Sequence, residues 1–367
     1  MEQTILKNNR LNVFNPLEHL YIGIDVHKDK HAAVGIDCFN KIIFSKEFDN
    51  KEQGFKGLIK DISQYHLKPI FGLEDSYGYG LRLGCYLFNH GYSVRIVSPV
   101  LVSNLRKNET HPEKSDFLDA FGVAKVMIQR IDSLPMFSLS NTDQIAKEIK
   151  ELIIDREFLV KEQTRLKNQL HRLLHKSRLD YKDKFNNVFS LKALNYWYRY
   201  PVIKNNDSIV LKNQIRRKIK RMRDIKQEIK DISIELRVLV DKTGQRLETL
   251  NGCGLVLACC LIAEIRDINR FRSSSALAKY GGLCPRQHSS GQSVRYIKTL
   301  SGNRMLNRAI HRIALSQIGI AGNEKSRAYF AKKVSEGKTK AQALCCLKRR
   351  LVDIIYSMMK HKTEYRY

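Results

Sequence analysis

Four carboxylates set the chemistry this chain could perform. Asp25 closes the apolar run YIGID, and the run PIFGLED ends on Glu74 and Asp75. In EKSDFLDAFGVAKVM, Asp116 and Asp119 stand three apart, so a helix beginning there puts both acids on one face. Singly each is ordinary, because a strand-end Asp is usually solvated and a first-turn Asp usually caps its helix. Gathered together they repel, and a cation must offset their charge. Hard oxygen ligands suit Mg²⁺ or Mn²⁺. Two such ions about 3.5–4 Å apart can clamp the attacking and leaving oxygens of a phosphodiester. A slip of one residue would exchange Glu74 and Asp75 as ligand, and strand alternation alone does not choose between them.

The surrounding pattern is what would bring these acids together. LYIGIDV, HAAVGID and KIIFSKEF are expected to be three successive strands, joined by HKDK and CFN. A helix over about Lys51 to Tyr65, the strand PIFGLED, a helix after Gly78, the strand YSVRIVS and a helix from about Ser115 follow. Three strands and then alternating helices and strands is the order of the ribonuclease H-like fold. Residues 1–18 read as an extension, and 19–135 as this α/β domain.

Residues 140–242 change character. Leu152, Leu159, Leu166 and Leu173 recur every seven residues, as do Ile215, Met222, Ile229 and Leu236, with Ile225, Ile232 and Leu239 three positions on. This is an a/d seam seen twice and predicts a long coiled-coil helical hairpin. Tyr181 to Asp207, with Pro201, would form its tip. There NYWYRY carries the only Trp, Trp197, whose ring either packs at the tip or stacks on unpaired bases.

Residues 245–362 are expected to be mostly helical. LNGCGLVLACCLIAEI puts a Gly-x-Gly turn before an apolar helix, a helix-hairpin-helix-like pattern that either holds a phosphate or is a plain turn. GNRMLNRAIHRIALSQ spaces Arg304, Arg308 and Arg312 four apart, so one helix face is basic while the other packs.

Lys and Arg number 65 against 37 Asp and Glu, a net charge of +28 over 367 residues. That excess repels itself unless a polyanion is near, and nucleic acid is the commonest. No apolar run is long enough to span a bilayer and no signal-peptide pattern is seen, so a cytoplasmic, nucleoid-associated protein is expected. None of the eight cysteines has CxxC spacing, which points to reduced structural thiols.

These motifs resemble the RuvC-like DEDD transposases of bacterial insertion sequences, the group that includes the Piv invertase and the bridge-RNA-guided recombinases. The resemblance runs from about Leu20 to Met359. The family's first metal ligand matches Asp25 of YIGIDVHK, its strand-end Glu matches Glu74 of FGLEDSYGY, and its paired acids match Asp116 and Asp119 of KSDFLDA. Its C-terminal motif appears as GLCPRQHSSG, in which the Ser before the Gly, Ser290, matches the candidate nucleophile. Without the resemblance, Ser290 would be read as a loop residue.

The resemblance implies a transposase that cleaves and rejoins DNA. Asp25, Glu74, Asp116 and Asp119 would hold Mg²⁺ or Mn²⁺ in a composite site with Ser290 as the attacking group. Arg286, Arg295, Lys298, Arg304, Arg308 and Arg312 would grip nucleic acid. It further implies a structured guide RNA, while the two heptad seams, together with the need of DNA exchange for more than one nucleophile, lead to the expectation of a homodimer or tetramer. A metal-dependent nuclease or Holliday-junction resolvase, cutting with water, is the alternative within enzymes. A non-catalytic nucleic-acid-binding protein is the alternative outside them, and the intact set of four acids argues against it.

Overall fold

Strand β1 (His19–Val26) is buried on both faces, and its alternation explains the rest of its layer. β2 (Lys30–Ile36) and β3 (Ile42–Asp49) follow, then α1 (Glu52–Ile62), β4 (Lys68–Leu73), α2 (Leu81–Asn89), β5 (Ser93–Ile96), α3 (Pro99–Lys107) and α4 (Asp116–Arg130). The computed structural model describes residues 15–74, 78–107, 113, 115–137, 141–177, 180–201, 209–290, 293–297, 302–320 and 322–366. The chain divides into two compact units, residues 1–140 and 141–367.

The sheet of the first unit has the order β3-β2-β1-β4-β5. β1 and β2 pair antiparallel, as do β2 and β3, whereas β1–β4 and β4–β5 are parallel. Leu20, Ile22 and Ile24 of β1 face a core shared with Phe55 and Leu58 of α1 and Leu83 and Leu87 of α2. Tyr21 faces the opposite core, with Val102 of α3 and Ala120, Val123, Ala124 and Met127 of α4. Successive side chains point to opposite faces, so Gly23 and Asp25 share the α4 side with Tyr21.

Gly23 of β1 and Gly72 of β4 are register partners. A Cβ on Gly23 would stand 2.1 Å from the Ala120 carbonyl oxygen, and one on Gly72 would stand 2.6 Å from the Met127 sulfur. This bare pair lets α4 lie directly on the sheet. Gly23→Val should therefore lower the stability of this unit by about 3 kcal/mol or more, because backbone rather than a side-chain tip must move. Denaturant unfolding checks it; an unchanged midpoint would mean that α4 does not depend on this contact.

α3 is an element that the sequence pattern did not predict, lying between the strand YSVRIVS and the helix at Ser115. All other elements expected in this unit are present, with ends moved by a few residues.

The second unit starts with α5 (Asn141–Ser177), α6 (Leu191–Arg199) and α7 (Ile209–Thr243). Leu159, Leu166 and Leu173 of α5 and Ile215, Met222, Ile225, Ile232 and Leu236 of α7 are buried in one cluster, while Leu152, Ile229 and Leu239 are partly buried against it. Arg221 crosses between the long helices to Glu162, 2.9 Å away, and also pairs with Glu228 at 2.9 Å. Trp197 lies on α6, fully buried, and its Nε1 donates to the Val188 carbonyl at 3.1 Å. Base stacking by Trp197 is thereby excluded, since Ala193, Leu194 and Trp197 form the packed face of α6. Tyr198 and Tyr200 remain exposed.

Then come α8 (Leu255–Ile265), α9 (Ser274–Tyr280), β6 (Arg286–Ser290), β7 (Ser293–Ile297), α10 (Arg304–Ile318), α11 (Glu324–Ser335) and α12 (Lys340–His361). Apolar residues of α8, α9, α10 and α12 belong to the same cluster as the long helices. Burial pushes the Cys253 and Cys259 thiols up to about 12 and Cys260 up to about 11, which keeps them unreactive. No helix among the described residues is long and apolar enough to cross a membrane.

Candidate active site

Asp25 sits at the carboxyl end of the central strand, where α4 begins. Its register partner on β2 is Ala32. Ser115 starts α4 by accepting the Leu118 N–H at 3.2 Å, so Asp116 and Asp119 fall in the first turn. An N-terminal turn welcomes negative charge, which offsets part of the repulsion among the acids. β4 runs parallel to β1 with Leu73 beside Ile24. Glu74 is therefore the next residue on the neighbouring strand end, with the parity of Ile70 and Gly72. Asp75, the alternative ligand, lies outside the described residues.

The potential ligand atoms of Asp25, His27 and Asp116 lie within 4.8 Å of one another. His27 bridges the acids, with Nδ1 3.8 Å from Asp25 and Nε2 3.9 Å from Asp116. Glu74 and Asp119 are outside that group. Asp119 is buried and accepts a hydrogen bond from Arg106 of α3, so its charge is already compensated. Oxygen and nitrogen donors on opposite sides of one ion with bonds of roughly 2.1–2.4 Å are about 4–5 Å apart, so the group fits a single divalent cation. Two carboxylates suit Mg²⁺ or Mn²⁺, and the imidazole favours the transition ion of the two.

Four residues that the sequence pattern did not single out, His27, Arg106, Asn50 and His31, complete this end of the sheet. His27 lies two positions after Asp25, the strand spacing that keeps side chains on one side, and this was the available signal. Arg106 and Asn50 carried none. Asn50 Nδ2 donates to the carbonyls of Lys28 (3.1 Å) and Tyr79 (3.3 Å), tying the β1–β2 turn to the segment after β4. The His27 N–H donates to His31 Nδ1 at 3.2 Å. His31 is buried beside Phe48 and Phe55, and burial pushes its pKa down, so it holds the turn as a neutral ring.

Ser290 belongs to the other unit. It is exposed, and it ends β6 rather than sitting in a loop: Arg286 to Ser290 pair antiparallel with Ser293 to Ile297. The Ser293 hydroxyl donates to the Ser290 carbonyl at 3.2 Å. Both ends of this hairpin are fastened. Asn307 Nδ2 donates to the carbonyls of Gly281 (2.9 Å) and Gly282 (3.2 Å), and Lys348 Nζ donates to Asn307 Oδ1 at 2.8 Å. Gly302 has φ +115°, and a Cβ there would lie 2.5 Å from the Gly282 nitrogen. The chain thus enters and leaves the hairpin through one tight crossing.

Of the expected basic contacts, Arg286 and Arg295 fall on β6 and β7, with side chains outside the described residues. Lys298 lies wholly outside them. Arg304, Arg308 and Arg312 are exposed on α10, whose opposite face buries Leu306, Ala309, Ile310 and Ile313.

Residues 22–178 match the DEDD transposase family model of the IS110 type, and residues 244–331 match the transposase IS116/IS110/IS902 family. An uncharacterized 44.8 kDa protein of insertion element IS116 from Streptomyces clavuligerus is 25% identical over 94% of this chain and 96% of its own. The transposase for insertion sequence element IS1111A of Coxiella burnetii is 22% identical over 99% and 97%. The pilin gene-inverting protein of Moraxella bovis is 25% identical over 94% and 97%. The two family matches fall on the segment holding all four acids and on the segment holding Ser290, in the order of the chain: it belongs to the IS116/IS110/IS902 transposase family, with an amino-terminal region of the DEDD type.

Proposed function

We propose that the protein is a DNA transposase, a site-specific recombinase that breaks and rejoins phosphodiester bonds with its acidic cluster and Ser290. The observation that carries this is the convergence of Asp25, His27 and Asp116 at the end of the central strand, beside the start of a helix that Gly23 and Gly72 seat on the sheet. The strand order, three antiparallel strands followed by two parallel ones with helices between, supports a ribonuclease H-like, RuvC-type reading of the first unit.

Asp25, Asp116 and Glu74, with His27, would hold Mg²⁺ or Mn²⁺, and Asp119 would join them on exchanging its bond to Arg106. When bound, the cation withdraws charge from a phosphate oxygen and so eases attack at phosphorus. Ser290 Oγ forms the new bond to phosphorus as the bond to the leaving sugar oxygen breaks, and that oxygen takes up a proton while the serine gives one up. The phosphoserine ester keeps the energy of the cut bond for rejoining. His27, half exposed between two acids, is placed to orient both carboxylates.

In this reading the long helices form a coiled-coil hairpin over 140–242, the remainder to 362 is the serine-bearing domain, and the protein works on nucleoid DNA as a dimer or tetramer. A net charge of +28 grips backbones without reading bases, which supports specificity from a structured guide RNA. The test is incubation with supercoiled DNA bearing the element ends, with and without Mg²⁺, after co-expression with flanking noncoding DNA. Metal-dependent cleavage at the ends and one enriched bound RNA are expected. No cleavage would contradict the enzymatic reading; site-specific recombination by RNase-treated protein would contradict the guide.

A further inference from the structure

A cavity of about 270 Å³ opens between α5, α8 and α10, within the second unit. Its charged lining is Arg156, Glu157 and Lys161 from α5 and Arg308 and Arg312 from α10. Four cations thus face one acid, and Glu157 is already held by Arg308 at 2.8 Å. The Nε of Arg156 is buried with no hydrogen-bond partner among the described residues. Val256, Leu257, Met305 and Ala309 make the floor apolar.

We infer that this cleft receives one unpaired nucleotide of a nucleic-acid strand. Its volume lies just under the roughly 300–1,000 Å³ of small-molecule sites, room for a single base and its sugar. An apolar floor with a cationic rim matches a flat ring carrying a phosphate at its edge. A duplex cannot enter, because its bases are covered on both faces, whereas a splayed base can stack on a guanidinium plane and on the polarizable Met305 sulfur. The phosphate meets Lys161 and Arg312, neither of which is in an ion pair among the described residues. Flat bases and backbone phosphates are common to DNA and RNA, so a strand of either kind is received. The inference rests on the reading of this chain as one that handles nucleic acid, and it adds Arg156 and Lys161 to the contacts expected from α10.

Binding is measured by anisotropy in EDTA on protein carrying Ser290→Ala, so cleavage plays no part. The probes are a labelled oligothymidylate, a labelled oligouridylate and a blunt duplex of equal length. Val256→Trp, which fills the half-buried side of the cleft, should weaken both single strands by about tenfold or more, with the duplex unchanged. A loss confined to one arm keeps the site and names its strand. Strands carrying 5-iodouracil should crosslink to the peptide containing Met305, which decides the matter should the Trp variant melt early. Wild-type strand affinity in a natively melting Val256→Trp protein, or crosslinks only outside the cleft, would overturn the inference. A chain that fills this cleft yet never cuts DNA would fail the transposase reading and leave this one standing.

Discussion

Asp25→Asn should reduce metal-dependent strand cleavage by more than about 100-fold while leaving folding and nucleic-acid affinity near wild type. Asn has almost the volume of Asp, so β1 keeps its pairing to Ala32 and its place beside Leu73 of β4. What disappears is a buried negative charge 3.8 Å from His27 and close to Asp116. Losing it relieves repulsion, and the metal-free protein should be equally stable or more stable by a few tenths of a kcal/mol to about 1 kcal/mol. Cleavage rate, thermal melting and duplex anisotropy measured on one preparation separate these effects. Wild-type cleavage by Asp25→Asn would remove the metal site from the mechanism.

Ser290→Ala should abolish any covalent protein–DNA intermediate yet leave metal binding intact, because the acids lie in the other unit. The neighbouring serines are a demanding control. Ser289 and Ser290 are adjacent in a strand and so project to opposite faces, which means that only one of them can meet a given phosphate. The Ser293 hydroxyl is engaged with the Ser290 carbonyl. Ser289→Ala should therefore retain the intermediate, and Ser293→Ala should lose only part of it, through a loosened hairpin end, by a factor of about ten or less. An intermediate that survives in Ser290→Ala but not in Ser289→Ala would reverse the assignment and turn the hairpin over.

The N-terminal unit was readable because its signals are local. β1 and β4 are apolar runs with an acid at or just past their carboxyl ends, and Ser115 before a periodic segment announces α4. α3 was missed because PVLVSNLRK is short, begins with Pro and buries only Val102, so its period is weak. Its absence from the reading also hid Arg106, the partner of Asp119. The hairpin bearing Ser290 was taken for a loop because RQHSS has no apolar alternation, and its strands are held by their own pairing and the crossing at Gly302. Trp197 sat among tyrosines in a polar stretch; its three- and four-residue spacing from Ala193 and Leu194 was the helical cue that it packs. Asn50 is distant in sequence and only the folded sheet brings it to His27, whereas His31 meets His27 across the turn but is buried by Phe48 and Phe55 from elements further along.

If the acids and Ser290 serve one phosphodiester transfer, the covalent product itself can be caught. Protein and DNA bearing the element ends are incubated with Mg²⁺ or Mn²⁺, denatured in detergent, digested and analysed by mass spectrometry for nucleotide-modified peptides. A nucleotide on Ser290 is expected, formed with metal and absent both in EDTA and in Asp25→Asn. Metal-dependent cleavage that leaves no modified serine would contradict it, and would identify water as the attacking group and the protein as a nuclease.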